Sequence, residues 1–118
     1  MKVTFDPLWH DDPEWEACYK RNGRPIGIMV TEDLLDCDDQ PVGFIEKVKE
    51  DGYVMGLWEI YLDHPGVEFP DDFSWQWDSP GGAKKEVRRA IRFSAELAKK
   101  EMELAKRKAA RLQLELAI

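Results

Sequence analysis

The chain has 118 residues, 43% of them apolar and 35% charged, with five Trp and five Phe. That is the make-up of one small globular domain, and it excludes two full cores as well as disorder throughout. No window approaches the ~20 consecutive apolar residues of a membrane span, and no basic start followed by an apolar run marks a signal peptide. Two cysteines, Cys18 and Cys37, make no disulfide framework, so a reducing, cytoplasmic setting is expected, the host cytoplasm for a viral protein.

The net charge of −7 hides a segregation. Residues 81–118 hold eleven Lys or Arg against five Glu, a balance of +6, which leaves −13 on the first eighty residues. Every Pro, Trp and Tyr lies before residue 81, and Ser79-Pro80-Gly81-Gly82 marks the joint. The expected organisation is an acidic, β-rich domain over 1–80 and a basic amphipathic helix over 81–118 that packs on it, on a partner chain, or on both.

In chain order, Lys2–Phe5 reads as a short first strand ended by Asp6-Pro7. Trp15–Val30 reads as a hairpin around Asn22-Gly23, a pair suited to a type I′ turn. That register sets Tyr19 opposite Ile26, Ala17 opposite Ile28 and Trp15 opposite Val30, all on one buried face. Thr31–Gln40 is either one helical turn capped by Thr31 or an acidic loop. Val42–Tyr61 reads as a second hairpin around Asp51-Gly52, pairing Glu50 with Tyr53, Val48 with Met55, Glu46 with Leu57 and Phe44 with Glu59. Ile45, Val54, Trp58 and Ile60 then occupy the opposite face. Both faces are partly apolar, so each needs a cover, and this hairpin is expected at the centre of the fold. Residues 62–80 read as a structured loop in which Phe73, Trp75 and Trp77 alternate as a short edge strand. The fold class is therefore α+β: a small antiparallel sheet of two hairpins plus short edge strands, followed by one long C-terminal helix.

From about Ala83 to Leu116 there is no Gly and no Pro. Val87, Ile91, Ser94, Ala98, Met102, Ala105, Ala109, Leu112 and Leu116 fall within a band of roughly 80° on a helix. Their spacing holds an eleven-residue repeat, close to the straight-helix period, so little supercoiling is expected. Such a helix reaches ~50 Å, beyond the width of a small domain. Its far half must project, fray, or lie along another chain, and the eight apolar members of the stripe are the candidate oligomerisation residues.

Chemistry is thin. The soft ligands His10, Cys18, Cys37 and His64 show no paired metal-ligand spacing. Asp36-Cys37-Asp38-Asp39 opens like a calcium loop, but Pro41 and Lys47 stand where that loop needs Gly and a bidentate Glu. His10-Asp11 and Asp63-His64 put an imidazole beside a carboxylate without a signalled nucleophile, and phosphate-cradling glycine loops are absent. No enzymatic activity and no cofactor are expected.

Charge carries the remaining signal. Three acidic clusters lie near large apolar residues: Asp11 and Asp12 with Trp9 and Trp15; then Asp36, Asp38 and Asp39; then Asp71 and Asp72 with Trp75 and Trp77. Aromatic anchors within a charged rim are the make-up of a protein-binding surface. The expected partner is a protein with a basic surface, and the expected role is that of a small acidic inhibitor of phage or mobile-element type, docking on a nucleic-acid-binding site. The alternatives are a structural homo-oligomer assembled through the helix and, less favoured beside a head of −13, direct nucleic-acid binding through the basic tail.

Overall fold

A computed structural model of the chain describes residues 1–8, 27–34, 40–50 and 53–117. Among these residues five strands precede one helix: β1 (Val3–Leu8), β2 (Gly27–Glu32), β3 (Gln40–Glu50), β4 (Tyr53–Leu62), β5 (Gln76–Trp77) and α1 (Pro80–Leu116). The strands form a single antiparallel sheet in sequence order, and α1 packs on one face of it. This is the α+β architecture expected. Its edges are β1, which carries Pro7, and the two-residue β5; a proline and a very short strand both discourage pairing with another sheet.

The first hairpin is corrected by the observed pairing. Ile28 and Val30 stand opposite Pro7 and Phe5 on one side and opposite Ile45 and Gly43 on the other. A strand has only two ladder edges, and both edges of β2 are taken, one by β1 and the other by β3. Residues 9–26, which hold the rest of that expected hairpin, lie outside the described residues. Thr31 and Glu32 continue β2, which rules out a helix cap at Thr31.

The second hairpin opens as expected, with Glu50 opposite Tyr53. A bulge between Lys47 and Lys49 then shifts the register by two, so that Glu46 faces Glu59 and Phe44 faces Tyr61. An even shift leaves each side chain on its own face. Ile45, Trp58 and Ile60 therefore still point together into the core.

That core is a mixed one. Val30, Ile45 and Ile60 of the sheet and Val87 of the helix are completely enclosed, joined by Val42, Trp58, Leu62, Val67, Ala83, Ala90 and Ile91. Alanines at 83 and 90 let the helix axis approach the sheet closely. Phe5 is roofed by two cations of the helix, Arg88 at 4.8 Å and Lys84 at 5.8 Å from the ring centre. Gly43 fits where β3 and β4 close in, because a Cβ there would collide with the Tyr61 carbonyl oxygen.

The helix begins at Pro80, three residues before the run free of Gly and Pro. Ser79 is extended (φ −144°, ψ 151°) and its Oγ accepts from the Gly82 N–H at 3.1 Å, while Pro80 sits in the first turn, where no N–H is needed. Thirty-seven residues span about 55 Å. Only the first third meets the sheet, and from Ala98 to Ala117 every residue is exposed, which gives the molecule a long dimension of 74 Å against 34 and 19 Å.

Two substitutions test this packing by urea unfolding. Ile60→Ala is expected to lose about 2–5 kcal/mol by leaving a cavity. Gly43→Ala is expected to lose about 1–3 kcal/mol by forcing β3 and β4 apart.

Candidate interaction surfaces

The loop from Asp63 to Trp75 determines what the head displays. Two turns shape it, closed by the Val67 N–H to the His64 carbonyl at 3.0 Å and the Phe73 N–H to the Pro70 carbonyl at 2.9 Å. His64 accepts from the Gly66 N–H at Nδ1 (2.9 Å) and turns Nε2 toward Glu32 at 3.5 Å, so its carboxylate neighbour is Glu32 of β2. Ser94 of the helix holds the loop's middle: its Oγ accepts from the Glu68 N–H at 2.7 Å and lies 2.8 Å from the Ala90 carbonyl.

A charged strap fixes the loop's far end. Glu86, buried under it, accepts from Arg89 Nε at 2.5 Å and from the Ser74 N–H at 2.9 Å. Arg89 reaches on to Asp72 Oδ1 at 2.9 Å. The Arg89 guanidinium, more than any other influence, holds the Glu86 and Asp72 carboxyls below their usual values. The same two acids raise Arg89 above its already high value. This network binds loop to helix through fully partnered groups.

Held in this way, the loop brings Phe69, Phe73 and Trp75 together with ring centres 4.7–4.8 Å apart. Phe69 and Phe73 lean on the core, and Trp75 stays 41% exposed. Beside it, on the face of the sheet away from the helix, Phe44 and Tyr61 stack at 4.7 Å, with Tyr61 44% exposed. Trp75, Phe44 and Tyr61 border an open hollow of about 390 Å³ whose other walls include Glu59, Leu62 and Asp63. The Tyr61 hydroxyl donates to Glu59 Oε2 at 2.6 Å. That bond, with burial and the charges of Glu59 and Glu46, raises the phenol to about 12. It remains a neutral donor at any physiological pH.

The residues singled out in the sequence separate into three groups. Trp9, Asp11, Asp12, Trp15, Asp36, Asp38 and Asp39 lie outside the described residues. Asp71 and Trp75 are exposed. Asp72 is held by Arg89, and Trp77 is half-buried, its Nε1 donating to the Ser74 carbonyl at 2.9 Å and its ring lying where a side chain on Gly82 would collide. Trp77 is thus a packing residue rather than an outward anchor, because pairing with Trp58 across β4 and β5 turns it toward the helix. On the helix, Val87 and Ile91 are consumed by the core and are not accessible to another chain, whereas Ala98, Met102, Ala105, Ala109, Leu112 and Leu116 are all exposed.

Sequence reasoning missed Phe44, Glu59 and Tyr61 as surface candidates. The signal was present in the second hairpin's two apolar faces, but both were assigned a cover. Among the described residues no group of three or more His, Cys, Asp or Glu is arranged to hold a metal ion, and no helix is long and apolar enough to cross a membrane.

The strap carries a pH signature. A carboxyl whose value is lowered by folding stabilises the native state fully above its unfolded value of 4.5 and loses that contribution as acid protonates it. Glu86→Gln is therefore expected to cost on the order of 1–2 kcal/mol at neutral pH and to flatten the loss of stability on the acid side. Thermal melts from neutral pH downward measure both. Compared with known families, curated proteins and solved structures, the chain matches no family model, no protein and no structure.

Proposed function

We propose that the protein is a non-enzymatic interaction protein whose acidic head docks on a basic segment of a larger protein. The observation that carries this reading is the hollow bordered by Trp75, Tyr61 and Phe44 with Glu59 and Asp63 in its walls. A planar guanidinium suits such a site, since it stacks on aromatic faces while donating to carboxylates. Tyr61, locked to Glu59, offers its ring face at little conformational cost. The negative head steers basic partners and repels nucleic acid. In its fullest form the reading is of an inhibitor, in the cytoplasm of a cell or of a virus's host, that occupies a site where a larger protein would hold DNA or RNA.

The experiment is a titration with an arginine-rich peptide, followed by tryptophan fluorescence and calorimetry. Tyr61→Ala and Trp75→Ala are each expected to weaken binding roughly tenfold, since anchor residues dominate such contacts. Added salt is expected to weaken it further by screening the rim. Binding that ignores both substitutions and the salt concentration contradicts the reading.

A further inference from the structure

The uncovered half of α1 has an arrangement that suits itself. Ala98, Met102, Ala105, Ala109, Leu112 and Leu116 follow one another at spacings of four, three, four, three and four. That series reads the same in both directions about Arg107. With two copies laid antiparallel about that point, Ala98 meets Leu116 of the second copy, Met102 meets Leu112, and Ala105 meets Ala109. The small residues lie at the centre, where two axes crossing in close contact need them. Met102, Leu112 and Leu116 are 61%, 59% and 86% exposed, large apolar side chains turned to solvent.

We propose that this segment is a self-association surface, and that the protein pairs through α1 with a second copy of itself in the antiparallel direction. The head dictates that direction. Val87, on the stripe's eleven-residue repeat with Ala98 and Ala109, is enclosed by the sheet, so the distal stripe points to the side on which the head sits. A parallel mate would bring its own head into the same space. An antiparallel mate puts each head beyond the other helix's tip.

A feature at the root of the arm fits the same arrangement. Where α1 leaves the sheet there is a hollow of about 150 Å³ bordered by Met1, Val67, Ile91, Ala95 and Ala98. The register centred on Arg107 brings Leu116 of the mate to that hollow. The overlap from Ala98 to Leu116 is about 28 Å long and covers on the order of 500 Å² of each helix. Both helices together thus reach the ~1,000 Å² at which specific interfaces begin, before the tips are counted. Lys106 and Lys108 of both copies flank the centre, and residues 97–117 carry six Lys or Arg against three Glu. The arms therefore repel, and salt tightens self-association while it loosens docking of the head, which separates the two surfaces experimentally.

Sedimentation equilibrium of the full chain is expected to show a monomer–dimer equilibrium that strengthens with salt and weakens roughly tenfold or more in Leu112→Glu, a position remote from the head. Direction is read by disulfide trapping, with the wild-type chain and its own Cys18 and Cys37 as the control. A mixture of Ala105→Cys and Ala109→Cys chains is expected to cross-link into mixed dimers far faster than either variant alone. A monomer at all concentrations overturns the proposal. So does a dimer that is indifferent to Leu112→Glu, or one in which Ala105→Cys chains trap one another preferentially.

Discussion

Everything distinctive about this molecule follows from the contact between α1 and the sheet, which occupies only the start of the helix. Ala83, Val87, Ala90 and Ile91 complete the core, and Glu86 with Arg89 fastens the 63–75 loop over their flank. Beyond Ala98 the chain has no more sheet to cover, yet the helix runs on for another five turns. Isolated helices draw little stability from propensity alone. A segment that stays helical without a head beneath it gains its stability from the apolar stripe, once something covers that stripe.

The same contact determines which side of the sheet α1 leaves uncovered. With α1 on one face, the other presents Phe44, Leu57 and Tyr61, and the strap holds Trp75 at the rim. The acidic residues around these rings are not interchangeable. Asp72 and Glu86 are committed to Arg89 and contribute rigidity, while Glu59 and Asp63 line the hollow and give it its charge. Head and arm thus bear opposite charge and uncovered apolar surface of different kinds, aromatic on one and aliphatic on the other.

The sequence disclosed much of this because its signals were periodic. The alternation of Ile45, Trp58 and Ile60 survived a register shift, since a displacement of two does not change faces. The helix was legible from composition, and its excess length from its residue count. What failed were inferences from pairs of residues. Asn22-Gly23 suggested a hairpin partner for Ile28 and Val30, but the competing apolar alternation of Val3 and Phe5 occupies that edge. Trp75 and Trp77 looked alike in sequence, yet one borders an open hollow while the other packs against Trp58 and the first turn of α1. Strand pairing decides which indole turns inward, and pairing is a property of the whole sheet. The arm of the strap from Arg89 to Asp72 joins residues 17 apart on either side of β5, and no local pattern announces it.

The most direct measurement is amide hydrogen exchange resolved along α1 at a series of protein concentrations. Residues from Ala83 to Ile91 are predicted to be protected at every concentration, because the sheet covers them. Residues from Ala98 to Leu116 are predicted to exchange freely in dilute solution and to become protected as concentration rises. Protection of the distal half that is already complete in the dilute monomer, or that never develops, contradicts the claim that a second chain covers it.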